Sequence, residues 1–370
     1  MTDLSQESDR TGSVGRVIST HFVPRWPGNP YHAELAGHLM EFGVRVDDED
    51  QLKSISRAVH ASGGKPDIVH IQATPRFDCS PMQVLRCAMF CFRLFRLRML
   101  GVRLVWTIHD ISHHEARHPR VELAISRLIF RRADALILHS NAARKAVERQ
   151  WNVKCDNRVF VIPHGNYIGS YPNHANRNAA REKLRVSPGK LVVLFLGIIR
   201  PYKGVLELIG AFKGLSASDI ELVIVGKPLS DEFSEKISSA IGSAAEIHYF
   251  PGHVNDDEIQ DYFNAADVVV FPYTKALTSG ALILAMSFGR ACIAPRMGAL
   301  EDTLDDEGGF LYDPEVPGAL REALMAASGA RSRLEAMGKH NYQNAEGWPW
   351  SETARMTAEV YRGCLAKQDS

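Results

Sequence analysis

The sequence predicts an α/β protein built of two doubly wound domains that face each other across a cleft. Three observations support this. Fully apolar runs rich in β-branched residues, of which residues 191–196 are the clearest, recur along the chain and read as strands of a parallel sheet buried on both faces. Between them lie segments whose apolar residues repeat every three and four positions, and this strand–helix alternation is the pattern of a doubly wound sheet. The alternation starts twice, near Arg16 and near Leu191, and 370 residues suffice for two cores at roughly 100 to 200 residues per domain. The expected division is residues 1–170, a linker at 171–188, and residues 189–350.

Composition narrows the function classes. Lys+Arg and Asp+Glu balance at 43 each, which gives no electrostatic footprint for nucleic acid. The balance hides an asymmetry, because residues 1–170 hold 23 Lys+Arg against 17 Asp+Glu and the remainder holds 20 against 26. Cys79, Cys87, Cys91, Cys155, Cys292 and Cys364 form no Cys-x-x-Cys pair and no ligand-like spacing with histidine, so free thiols in a reducing, cytoplasmic setting are expected. The first dozen residues are polar and lack the apolar core of a signal peptide.

In chain order, residues 16–20 form a first strand that runs into a turn rich in Pro and Gly. Leu35, Ala36, Leu39, Met40 and Phe42 then recur as a helix. Gly28, Asn29 and Tyr31 sit on the loop of this βα unit, which faces the ligand edge of such sheets, and are candidate ligand contacts. A loop that merely turns is the competing reading. After a strand at residues 67–71, Leu85, Ala88, Met89, Phe92, Phe95 and Met99 mark a long helix made strongly basic by Arg86, Arg93, Arg96 and Arg98. The arginines interrupt every apolar run, so the helix does not span a membrane. It suits either an anionic membrane surface or a crossover helix with its arginines in water.

The strand at residues 103–108 delivers His109-Asp110-Ile111-Ser112-His113-His114-Glu115, the chain's densest cluster of groups able to exchange a proton near neutral pH. Three histidines and two carboxylates within seven residues raise the question of a metal. The spacing is loop-like and the His-Glu-x-x-His signature is absent, so no metal is expected. A helix over residues 121–129, a strand at 135–140, a helix capped by Ser140 or Asn141, and a strand at 158–162 ending in Pro163-His164-Gly165 complete this half.

The second half opens with residues 191–204, where an apolar strand ends in a glycine turn carrying Arg200 and Lys203 just before a helix. Free N–H groups and the helix dipole favour an anion there, and two cations suit a diphosphate. Strands follow at residues 221–225, 246–250, 267–271 and 290–295, with Asn255 and Glu258 as a capping box for a helix over 256–264. Thr278, Ser279, Gly280 and Ala281 open a helix at the same sheet edge, where they serve either as further phosphate or sugar ligands or simply as caps.

At this point residues 197–204, the turn Phe250-Pro251-Gly252-His253-Val254, and residues 266–272 and 285–290 resemble the C-terminal domain of GT-B glycosyltransferases, especially the large glycosyltransferase family 4 type group. Residues 107–110 and 162–165 are similar to that family's N-terminal landmarks, so the resemblance covers nearly the whole chain. It implies two Rossmann-like domains, with a tail helix at 351–368 crossing back onto the first. It implies that Gly197, Arg200 and Lys203 hold the diphosphate of a nucleotide sugar, that His253 and Val254 lie against the base, that His109 faces the transferred sugar, and that no cofactor or metal is needed.

One departure matters. Retaining members carry two glutamates whose matching positions here are Ala276 and Leu284, and the replacement, residues 277–281, looks like a subgroup that includes bacterial exopolysaccharide β-mannosyltransferases. Inverting chemistry needs a base in the N-terminal domain, for which His109, Asp110, His114 and Glu115 are available, Glu115 or His109 first. The resemblance thus implies a hexosyltransferase acting from GDP-mannose or a UDP-sugar on a saccharide or lipid-linked acceptor, with His164 a further contact, at the cytoplasmic face of the plasma membrane. A retaining enzyme, a catalytically silent nucleotide-sugar-binding subunit and a sugar phosphorylase are the alternatives.

Overall fold

The computed structural model describes residues 16–26, 28–47, 65–74, 81–111, 119–215 and 219–366. Its strands form two six-stranded sheets in which every pairing is parallel. The first contains β1 (Ile18–Val23), β2 (Val44–Asp47), β3 (Ile68–Ile71), β4 (Arg103–Thr107), β5 (Ala135–Leu138) and β6 (Val159–Val161), in the order β2-β1-β3-β4-β5-β6. The second contains β7 (Leu191–Leu196), β8 (Ile220–Gly226), β9 (Ile247–Pro251), β10 (Val268–Val270), β11 (Ala291–Pro295) and β12 (Gly309–Tyr312), in the order β12-β11-β10-β7-β8-β9. The order reverses between β1 and β3 in one sheet and between β7 and β10 in the other, and such switch points are where open α/β sheets leave a crevice at their carboxyl edge.

The central strands are buried because helices cover both faces; every residue of β8 is buried, and β7 is buried through Phe195. β2 and β12 were not legible in the sequence. Both are four-residue edge strands with half-exposed members, so neither shows a continuous apolar run. The expected linker contains the helix Arg177–Lys183. It buries only Ala180 and Arg181, so no 3.6-residue apolar period marks it; Arg181 instead docks on Asp267 (2.7 Å) and the Ala265 carbonyl (3.0 Å). The helix expected over 256–264 starts later, at Ile259. Asn255 and Glu258 do interact, side chain to side chain at 2.9 Å, but within the preceding turn.

The basic helix Pro81–Met99 reverses another expectation. The apolar repeat read from the sequence, with Leu85, Met89, Phe92, Phe95 and Met99, is exposed, and the helix packs inward through Cys87, Phe90, Leu94 and Leu97. The helix is apolar on two faces, so periodicity alone did not identify the buried one.

The two halves are tied together behind the cleft. The helix Trp350–Ala366 packs against Pro30–Leu39 in the first domain, Thr353 Oγ1 donates to the Pro163 carbonyl (3.0 Å), and Asn166 Nδ2 donates to the carbonyl of Ala345 (2.8 Å). The Tyr361 hydroxyl lies 2.6 Å from His70 Nδ1 in the buried core of β3. Among the described residues, no helix is long and apolar enough to cross a membrane.

Candidate active site

The C-terminal wall of the cleft is built at the β7/β10 switch point. β7 ends at Leu196, and the turn after Gly197 tightens into a short 3-10 helix, Pro201–Lys203, preceded by the half-buried Arg200. Gly204 makes the next step possible. Its φ of +67° is left-handed, and a Cβ there would lie 1.8 Å from the Pro272 carbonyl oxygen, so only glycine lets this turn seat against the end of β10 before the helix Val205–Lys213 begins. Thr274 N–H donates to the Tyr202 carbonyl (2.8 Å), which joins the two loops.

Lys203 is enclosed by this arrangement, its Nζ 5.1 Å from the centre of the Tyr273 ring. Burial disfavours its charge, but Tyr273, Tyr202 and Asp110 outweigh burial and raise its pKa above the ordinary value. A fixed cation therefore stands at the sheet edge. Beside it Ser279 caps the helix Gly280–Ser287, its Oγ accepting from Leu282 N–H (3.2 Å), and the first N–H groups of that helix have no partner within it. Thr278, Gly280 and Ala281 flank the cap. His253 is exposed on the turn after β9, and Val254 is half-buried against the core.

The N-terminal wall is a cluster of neutral rings. Tyr31 sits at its centre, with ring centroids 4.9 Å from His109, 5.0 Å from His164, 5.3 Å from Trp350 and 5.7 Å from His139. Tyr31 is only 5% exposed and forms the floor of the site. His70 bridges Thr107 Oγ1 (2.7 Å) and Tyr361. Burial lowers the pKa of every histidine here. His32 falls to about 4, helped by Arg25, and His70 to about 3, helped by His32 and His139. His139 falls to about 4 although its bond to the Ile162 carbonyl opposes the shift, and His164 to about 3 beside His139. His109 falls well below 6.5, through burial and then His139, His164, His32 and His70. At neutral pH all five are uncharged and act as directed donors and acceptors. Among the described residues, no three His, Cys, Asp or Glu side chains are grouped to hold a metal ion.

Several residues singled out from sequence meet here. Asn29, Tyr31, His109, Asp110, His164, Thr278 and Gly280 line one cavity of about 290 Å³ between the domains. The domains touch directly where Thr278 Oγ1 donates to the His109 carbonyl (3.0 Å). His109 Nε2 lies 3.0 Å from Gln72 Oε1, and Asp110 is exposed, near enough for its charge to act on Lys203 and Tyr202. Gly28 is exposed and contributes no side chain, and Asn29, although it lines the cavity, uses its amide oxygen to cap the helix Pro30–Leu39 by accepting from Tyr31 N–H (3.1 Å). His114 and Glu115 lie outside the described residues.

Sequence reasoning missed Gln72, His32, His70, His139 and Tyr361. A signal for some of them was present. His70 lies within β3, next to its last residue, and His109, His139 and His164 follow β4, β5 and β6 within three residues, so four consecutive strands bring a histidine to one edge.

Comparison with known proteins agrees with this architecture. A family model described as glycosyl transferases group 1 matches residues 190–328, and one described as glycosyl transferase 4-like domain matches residues 3–165. The chain is 28% identical over 242 residues to a GDP-mannose:glycolipid 4-beta-D-mannosyltransferase of Xanthomonas campestris pv. campestris, covering 63% of this chain and 62% of that one. It is 26% identical over 280 residues to a D-inositol 3-phosphate glycosyltransferase of Rhodococcus jostii (strain RHA1), covering 71% and 61%. The matched stretch thus spans about three fifths of each relative. Sucrose-phosphate synthase from Thermosynechococcus elongatus shares the fold, with a TM-score of 0.75 at 18% identity over 95% of this chain and 100% of that one. With one matching model on each of its two sheets, the chain belongs to the glycosyltransferase group 1 and family 4-like enzymes of the GT-B fold.

Proposed function

We propose that this protein transfers a hexose from a nucleotide-diphosphate sugar, GDP-mannose or a UDP-sugar, to a hydroxyl of a saccharide or lipid-linked saccharide, with inversion. The observation that carries this reading is the half-buried, charged Lys203 at the β7/β10 switch point, within reach of the charge of Asp110, which with His109 lines the cavity against Thr278 and Gly280. The acceptor oxygen bonds to the anomeric carbon as the bond from that carbon to the diphosphate breaks. The proton passes to a carboxylate of the N-terminal domain. Arg200, Lys203 and the N-terminus of helix Gly280–Ser287 take up the charge left on the diphosphate.

The depressed basicity of His109 makes it a weak proton acceptor and suits it to hydrogen-bond the transferred sugar. Asp110 and Glu115 are then the better bases. At the positions where retaining relatives of this fold carry glutamates, Ala276 and the buried Leu284 offer no charge to the donor sugar, which favours inversion. The named substrates of the Xanthomonas relative support GDP-mannose and a glycolipid as the first pair to try, in bacterial exopolysaccharide or glycolipid synthesis.

Thermal shift with uridine and guanosine diphosphates, followed by nucleotide release from a donor and acceptor panel, tests the proposal. Turnover lost in Arg200→Ala and Glu115→Gln supports it. Nucleotide binding without turnover on any pair supports instead the reading of a silent binding subunit, which the two missing glutamates favour.

The outer face of the N-terminal domain fits an acceptor held at a membrane on the cytoplasmic side. Exposed Phe92, Phe95, Met99 and Leu128 lie among Arg86, Arg93, Arg96, Arg98, Arg131 and Arg132, and the only acid on the two helices, Glu122, is buried. Apolar side chains ringed by arginines suit an anionic bilayer, where each basic residue near the surface is worth about 1 kcal/mol.

A further inference from the structure

Leu277 belongs in sequence to the loop that opens the helix Gly280–Ser287, but its side chain is seated in the other domain. It is 1% exposed, and the apolar cluster it joins is otherwise made of N-terminal residues, Trp106, Ile108 and Trp151 among them. The next residue, Thr278, donates to the His109 carbonyl at 3.0 Å, so the loop enters the first domain beside the group proposed to face the sugar.

The loop is also braced from behind. Ala299 N–H donates to the Leu277 carbonyl (2.7 Å), and Gly298, at φ +53°, lies so close that a Cβ there would sit 2.7 Å from the carbonyl oxygens of Ala276 and Leu277. A second bridge stands nearby, where the exposed Asp302 accepts from Ala142 N–H (2.6 Å) in the first turn of the helix Asn141–Trp151.

A two-domain cleft has to open for a nucleotide sugar to enter, and each opening must withdraw Leu277 from its apolar seat. Burial of a leucine is favourable but undirected, so it can hold two domains together without fixing a polar partner on either side. We propose that Leu277 is a positioning residue. Carried on the donor loop of the C-terminal domain, it plugs into the N-terminal core when the cleft closes and brings Thr278 and Gly280 into register with His109. This inference rests on the glycosyltransferase reading above and adds to it the element that couples the two half-sites.

The test compares Leu277→Ala and Leu277→Met with the unaltered full chain, measuring kcat, KM for the donor, and the Kd of the matching nucleoside diphosphate. Arg200 and Lys203 lie wholly in the C-terminal domain. Leu277→Ala should therefore lower kcat tenfold or more while the nucleotide Kd stays within twofold, and Leu277→Met should restore most of kcat. Solution scattering with nucleotide bound should show a larger radius of gyration for Leu277→Ala. Unchanged kcat in Leu277→Ala overturns the inference, as does a kcat loss matched by an equal loss of nucleotide affinity, which would make the leucine a mere support for the phosphate loop. If Leu277→Ala does not fold, Asp302→Ala at the exposed second bridge decides: a threefold or greater loss of kcat with unchanged Kd supports closure as the controlled step, and unchanged kcat refutes it. An unaltered chain that turns over no donor overturns the enzymatic reading itself, separately from the role of Leu277.

Discussion

Mild acid should destabilise this protein well before its carboxylates titrate. The perturbation is a change from pH 7.5 to 5.5. In the unfolded chain a histidine protonates near 6.5, whereas in the fold His32 and His139 stay neutral to about 4, and His70 and His164 to about 3. Below 6.5 the unfolded state therefore binds more protons, and the stability contributed by these groups, fully present above 6.5, is lost as pH falls toward the folded values. At pH 5.5 each costs about 1 to 1.5 kcal/mol, and the four together about 5 kcal/mol, against a total stability on the order of 5 to 15 kcal/mol. His109 acts in the same direction. The rings lie close together, with centroids of His139 5.3 Å from both His109 and His164, so a first proton makes the next harder to accept and the folded cluster stays neutral. Urea unfolding at pH 7.5, 6.5 and 5.5 measures the effect. The expected result is a loss equivalent to several protons taken up on unfolding, with most of it between 6.5 and 5.5. A midpoint that moves by less than one histidine's share would refute the claim that the cluster is buried and neutral.

Three further perturbations address other parts of the structure. Gly204→Ala places a methyl group against the Pro272 carbonyl and at a left-handed φ, so it should destabilise the C-terminal domain by about 2 kcal/mol or more and weaken nucleotide binding, read by thermal unfolding with and without nucleoside diphosphate. Tyr361→Phe leaves His70 Nδ1 buried without its partner and should cost about 1 to 3 kcal/mol, measured by urea unfolding at pH 7.5. The paired change Phe92→Asp with Phe95→Asp should abolish retention on vesicles containing anionic phospholipid while leaving turnover on a soluble acceptor intact; retention of the unaltered chain should fall with added salt, since arginine attraction is screened over about 10 Å at 0.1 M.

The legible part of the fold was its centre. β7 and β8 announce themselves because helices cover both of their faces, and the same burial makes their sequence continuously apolar. The edge strands Val44–Asp47 and Gly309–Tyr312 carry half-exposed residues and left no such trace. The short helix Arg177–Lys183 is held by ion pairs of Arg177 and Arg181 with Asp267, partners 86 and 90 residues away along the chain that no local window contains. For the helix Pro81–Met99, the apolar repeat was real but its direction was not encoded locally. Which of two apolar faces turns inward depends on β4 and the helix Pro119–Arg132, known only once the sheet is assembled.

The site divides in the same way. Arg200 and Lys203 were legible because a strand, a glycine turn and a helix fix their place within a dozen residues. The histidine cluster was not, because its members come from four strands and meet only through the sheet order β3-β4-β5-β6. That division bears on how the chemistry is shared. The C-terminal wall holds cations and a helix N-terminus, and at 276 and 284 it has apolar residues, the second buried where a lone carboxylate would be costly to place. In the proposed transfer it holds the leaving diphosphate and has no acid at those positions to serve the sugar. Groups able to take a proton or to orient hydroxyls stand on the opposite wall. In the proposed transfer neither domain acts alone, so the rate should depend on the contact between them, and that contact runs through Leu277, Thr278 and the backbone of His109.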